Sequence, residues 1–228
     1  MNDSSDNDKK SLPAVRPEGL PSLARAKTLI RLTESVLGEK FALPARSDAW
    51  LDELIAWADE NHVPDYHRDG VGIFVGFPRD KEKILSLTEL RLWGNQLTKL
   101  PEAIGNLTNL EKLYLGDNQL AELPEAIGNL TNLKGLYLAW NQLTELPEAI
   151  GNLVNLRWLF LDINRLTELP ESIGNLTNLE WLYLGENELT TLPESIGNLT
   201  NLKELSLYGN PIKKLPPHLS HLENITTL

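Results

Sequence analysis

With 228 residues, 41% of them hydrophobic, and no cysteine, the chain has enough apolar surface for a packed core but no means to build a disulfide framework or a thiolate metal site. Its 32 acidic and 21 basic side chains leave a net charge of −11, which repels phosphate backbones and anionic lipid, and no basic patch reverses that locally; nucleic acid and membranes are not expected partners. No apolar run reaches membrane-spanning length and the polar stretch Met1 to Lys10 is not a Sec signal peptide, so a cytoplasmic location is expected, with export by a non-Sec route as the alternative.

In chain order, residues 1–19 have the polar composition of a disordered tail. Residues 20–68 fit a helical N-terminal cap. Leu23, Ala26, Ile30 and Leu37 share one helical face ending at Gly38, and Trp50, Leu51, Leu54, Ile55 and Trp57 share a second between Ser47 and Asn61. Trp50 and Trp57 are expected in the core. Residues 69–86 form a junction, where Val71 to Val75 would add a strand and Phe77, Pro78 and Ile84 fall at the spacing of a degenerate half-repeat. Gly70, Gly72 and Gly76 do not have phosphate-loop spacing, and no Lys-Ser or Lys-Thr follows them.

From Leu87 to Leu228 the chain repeats every 23 residues on the frame L-x-x-L-x-L-x-x-N-x-L-x-x-L-P-x-x-I-G-x-L-x-x. Six copies begin at Leu87, Leu110, Leu133, Leu156, Leu179 and Leu202, and a seventh opens at Ile225. The L-x-L segment has the period of a strand, pointing Leu113 and Leu115 inward and Tyr114 outward. Asn95, Asn118, Asn141, Asn164, Asn187 and Asn210 stand where the chain leaves the strand, placed to satisfy backbone groups of adjacent turns as a ladder. The Leu-Pro pair ends the strand, and I-G-x-L returns the chain along the other side as an irregular or short helical segment. Glu102, Glu125, Glu148, Glu171 and Glu194 follow the prolines as a solvated stripe. The C-terminal end lacks a cap comparable to the helices at the other end, an arrangement that invites a homodimer contact or belongs to a longer parent chain.

The frame residues barely change between copies, whereas the outward strand positions vary, and that variable surface is the candidate site. It carries Arg91, Trp93, Lys112, Tyr114, Asp117, Tyr137, Trp140, Trp158, Phe160, Asp162, Ile163, Trp181, Tyr183, Glu186, Glu204 and Tyr208. Every aromatic residue of the six repeats is among them, with Tyr137, Trp158, Phe160 and Trp181 central and charges around them, the arrangement of an interface hot spot. Were each ring to expose about 80 to 100 Å², the patch would reach roughly 700 to 900 Å², one partner's share of a standard interface. The competing reading is that rings on adjacent strands stack on one another and require no ligand.

No nucleophile–base pair, carboxylate pair or metal-ligand set occurs at convincing spacing, so neither catalysis, cofactor nor metal is expected. His62 with His67, and His218 with His221, lack further ligands.

The phrase L-P-E-x-I-G-N-L-T-N-L resembles the 23-residue leucine-rich repeats of plant and animal Ras-linked scaffold proteins and of many bacterial proteins. The resemblance covers Leu87 to Leu228. It implies an α/β leucine-rich-repeat solenoid, with a curved parallel β-sheet on the concave face, an irregular or short helical convex side and the N-terminal α-helical cap. It also implies an interaction module whose partner is an unidentified protein. Two alternatives stand beside this: the recognition domain of a larger or secreted bacterial effector, and carbohydrate binding on the aromatic strip.

Overall fold

The computed structural model describes residues 48–213, 215, 219, 225 and 226. The helix expected over Leu23 to Gly38, the tail over 1–19, and His218 and His221 lie outside these residues.

Helix α1 spans Ala49–Glu60 and buries Leu51, Leu54, Trp57 and Ala58 along one stripe. Trp57 meets Phe77 edge-on, with centroids 6.3 Å apart, and its Nε1 donates to the Lys99 carbonyl at 3.3 Å. Trp50 is half-buried against the same core. Strands β1 (His67–Arg68) and β2 (Phe74–Val75) then form an antiparallel hairpin. The strand expected over Val71 to Val75 is therefore confined to its last two residues. The reason lies in Asp69, whose carboxylate accepts the Val71 and Ile73 N–H groups at 3.0 and 2.8 Å and so commits that stretch to a turn, leaving Val71 81% exposed. Arg79 ties the hairpin region to α1 through Asp59 Oδ1 and the Val63 carbonyl, both at 2.8 Å. Helix α2 (Lys81–Leu85) follows, capped by Asp80, which accepts the Lys83 N–H at 2.8 Å, and it buries Ile84.

The repeats supply β3 (Glu89–Arg91), β4 (Lys112–Tyr114), β5 (Gly135–Tyr137), β6 (Trp158–Phe160), β7 (Trp181–Tyr183), β8 (Glu204–Ser206) and β9 (Ile225–Thr226), paired in chain order as one seven-stranded parallel sheet. From β3 to β8 every residue lies opposite its counterpart 23 positions on. The last pairing differs: Leu205 lies opposite Ile225, a separation of 20. Ile225 thus pairs at the fourth position of the frame and not at the first, which corrects the expected start of a seventh copy.

Between strands run 3₁₀ turns, Glu102–Asn106, Glu125–Asn129, Glu148–Asn152, Glu171–Asn175 and Glu194–Asn198, each entered from a proline in extended conformation. The glycine after each isoleucine lets consecutive turns touch: a Cβ on Gly128 would lie 2.5 Å from the Ala149 carbonyl oxygen. Leucines and isoleucines of the frame fill the layer between sheet and turns, nearly all of them buried. No repeat buries its leucines alone, so stacking is what stabilises each one.

Candidate recognition surface

Two ladders of asparagine fix the strands in register. In the inner one, Asn141 Oδ1 accepts the Leu120 N–H at 3.0 Å while its Nδ2 donates to the Leu115 and Leu138 carbonyls at 2.9 and 3.0 Å. Asn118, Asn164, Asn187 and Asn210 repeat this bonding one turn apart. Asn95 has no preceding repeat, and its amide donates to the Trp93 carbonyl at 3.0 Å. The outer ladder was not anticipated from the sequence: Asn109, Asn132, Asn155, Asn178 and Asn201 each donate to a carbonyl 24 residues back at 2.7 to 2.8 Å. Its signal was present in the sequence, an asparagine at the last position of the frame in all six copies.

Strands held this way present two columns of side chains on the open sheet face. In one, the Arg91 guanidinium sits 4.6 Å over the Tyr114 ring, and Tyr114–Tyr137, Tyr137–Phe160 and Phe160–Tyr183 stack with centroids 4.3, 5.0 and 4.8 Å apart and planes within 14° of parallel. Tyr183 closes the column by donating to Glu204 Oε1 at 2.7 Å. In the other, Trp158 and Trp181 stack at 5.8 Å, with Arg157 5.8 Å over the Trp158 ring and Lys203 5.1 Å over the Trp181 ring. Glu180 bridges those two cations. Glu89 likewise binds Arg91 at 2.7 Å and Lys112 at 3.0 Å.

The stacking changes the surface in a way residue spacing could not show. Tyr114, Tyr137, Trp158, Phe160, Trp181, Tyr183 and Tyr208 are half-buried, much of each ring being covered by its neighbour. Tyr137 also lies over Gly135, and Tyr208 over Gly185, so both glycines are buried. Only Trp93 and Trp140, at 57% and 61%, expose most of their surface. The apolar patch is accordingly smaller than a sum over nine free rings.

The flank beside the columns has its own backbone rule. Gly94, Asp117, Trp140, Ile163, Glu186 and Gly209, the eighth residue of every copy, all have φ between +53° and +71°. This left-handed turn lifts the chain off the strand, and glycine or aspartate adopts it readily; a tryptophan or a β-branched isoleucine does so at a cost. Next to it the Asp162 carboxylate accepts the Gly185 N–H at 3.0 Å, and burial pushes that carboxyl above the ordinary aspartate range despite the hydrogen bond. Burial likewise raises the Tyr137 phenol to about 12, and the hydrogen bond to Glu204 raises Tyr183 to about 12. At Glu89 burial also raises the carboxyl but is outweighed by the Lys112 hydrogen bond and the Arg91 charge, and the net shift is downward.

At the start of the sheet face a cavity of about 510 Å³ lies between Tyr66 and Phe74, which stack at 4.9 Å, and the residues Lys83, Ser86, Thr88, Glu89 and Arg91. Among the described residues no group of three or more histidine, aspartate or glutamate side chains could hold a metal ion, and no helix is long and apolar enough to cross a membrane. His62 and His67 are exposed, and His67 Nδ1 pairs with the Asp65 carbonyl oxygen at 2.6 Å.

The chain matches the family described as leucine-rich repeat region over residues 79–153 and 126–228. It belongs to the leucine-rich-repeat family, whose members serve generally as protein-interaction modules. Among solved structures it is similar to a leucine-rich-repeat protein of Leptospira interrogans, 38% identical, with a TM-score of 0.53 over 65% of this chain. The chain spans 44% of that protein's length. No curated protein matches it significantly.

Proposed function

We propose that the aromatic face of the sheet is a docking surface for a partner protein and that the chain acts by binding, without catalysis. The observation that supports this most is that the aromatic side chains of the repeats are confined to one surface. Frame residues repeat almost unchanged through six copies, while the outward positions hold nine aromatic side chains and none of the convex positions holds one. Six strands about 4.8 Å apart give a strip roughly 25 Å long, suited to a helix, an extended segment or a domain face rather than to a small metabolite. The half-buried columns form a rigid floor, and Trp93 and Trp140 stand proud of it.

The test is affinity capture from lysate with quantitative mass spectrometry, comparing the wild-type chain with Trp158→Ala/Trp181→Ala and with a convex-side control, Glu125→Lys/Glu148→Lys. The expected result is a discrete protein lost with the first variant and kept with the second. Equal capture by all three would reject the assignment, and enrichment on a glycan array without any protein would move it to carbohydrate.

A further inference from the structure

The flank of the sheet carries features the stacked columns do not need. Its seventh and eighth positions present the aromatic side chains Trp93, Trp140 and Tyr208 together with the carboxylates Asp117, Asp162 and Glu186.

Three independent observations bear on what lies against it. The rings of Trp93 and Trp140 are 57% and 61% exposed, and among the described residues neither has an aromatic or cationic partner, unlike the stacked rings of the columns. Trp140 and Ile163 hold their apolar side chains at this surface from left-handed backbone, φ +61° and +56°, at a position where Gly94 and Gly209 serve the fold without strain. Finally, the charges do not balance. Arg91 and Lys112 are engaged by Glu89, and Arg157 and Lys203 by Glu180, whereas no cation among the described residues pairs with Asp117, Asp162 or Glu186. The chain as a whole carries a net charge of −11.

We propose that this flank binds an extended segment of the partner bearing arginine or lysine at every third residue. The inference rests on the reading that the aromatic side of the sheet docks a protein, and it adds which chemistry is recognised and where. Trp93, at the seventh position of the first repeat, and Trp140, at the eighth position of the third, stand two repeats apart on neighbouring columns, about 10 Å at the spacing of parallel strands. A polyproline-II segment, with three residues per turn and about 3.1 Å per residue, returns a side chain to the same face every 9.3 Å or so. Consecutive guanidinium groups on that face therefore reach consecutive indoles, lie over them as cations lie over aromatic faces, and leave the neighbouring basic side chains to Asp117, Asp162 and Glu186. A cation against Asp162 also answers the charge of a carboxylate that already has one oxygen committed to Gly185.

The probes are two fluorescein-labelled twelve-residue peptides, Arg-Pro-Pro repeated four times and Glu-Pro-Pro repeated four times, titrated with the full chain by fluorescence anisotropy at low and high salt. The arginine peptide should bind at least about tenfold tighter than the glutamate peptide and weaken as salt screens the carboxylates. Trp93→Ala/Trp140→Ala should lose about tenfold or more, and Asp117→Asn/Glu186→Gln, whose side chains keep their shape and whose asparagine suits left-handed backbone, should lose binding and most of the salt dependence. Equal binding of the two peptides, or undiminished binding by both variants, would overturn the proposal. If lysate capture still depends on Trp158 and Trp181 while the arginine peptide fails, the flank inference falls and the docking face remains.

Discussion

The indoles of Trp158 and Trp181 stack 5.8 Å apart and 12° from parallel, with Arg157 and Lys203 capping the pair and Glu180 joining the two cations. Stacked pairs of this kind contribute about 0.5–1.5 kcal/mol beyond the area they bury, so the two tryptophans stabilise the sheet as well as forming its surface. A double-mutant cycle on Trp158→Ala and Trp181→Ala, read by chemical denaturation, should return a coupling of that size. Strict additivity would mean the rings contribute independently.

The inner asparagine ladder should matter far more than any one surface ring. Asn141→Ala leaves the Leu120 N–H without its partner and takes one of two amide donors from each of the Leu115 and Leu138 carbonyls, which keep Asn118 and Asn164, so the loss should be about 1–3 kcal/mol. Asn95→Ala, which removes a single exposed bond to Trp93, should cost less than about 1 kcal/mol. Urea midpoints of the two variants measure the contrast, and equal shifts would contradict the ladder's role.

Ser172 and Ser195 point the opposite way. Their hydroxyl oxygens are buried without a hydrogen-bond partner, at a position occupied by Ala103, Ala126 and Ala149 in earlier copies. Ser172→Ala/Ser195→Ala should raise the melting temperature, by an amount corresponding to about 1 kcal/mol per site. A lower melting temperature would show that the hydroxyls are satisfied.

Alkaline pH should expose the stacked column. Tyr137 and Tyr183 titrate near 12 in the folded chain, above an ordinary phenol near 10. Because the folded-state values are raised, the stability these groups contribute is complete below about pH 10 and is lost as pH climbs from 10 through 12. Absorbance at 295 nm should show two phenols ionising late, and Glu204→Gln should bring the Tyr183 transition down. The same sign applies at acid pH to Asp162, raised by burial: Asp162→Asn should be neutral or stabilising at pH 7, with the difference fading as pH falls through the aspartate range.

Much of this molecule was readable from periodicity. The 23-residue frame placed Leu113 and Leu115 inside, Tyr114 outside, and the inner asparagines at the strand exits, because strand alternation and a repeated polar residue in an apolar frame are one-dimensional signals. The orientation of the rings was not readable: whether Tyr137 stands free or lies over Gly135 against Tyr114 depends on its rotamer, and this is why the exposed area was overestimated. Equally hidden was the left-handed backbone at Trp140 and Ile163, since neither residue announces it as glycine does. The last pairing, Leu205 with Ile225, escaped because the leucine pattern continues in step to Ile225 while the strand register shifts by three residues.

Protein binding on the aromatic side of the sheet is tested most directly by placing a photocrosslinking amino acid at Trp140 and, separately, at Glu148 on the convex side, then irradiating each chain in lysate. The account requires a protein adduct of discrete mass from position 140 and none from position 148. Adducts only from 148, or equally from both, would contradict it.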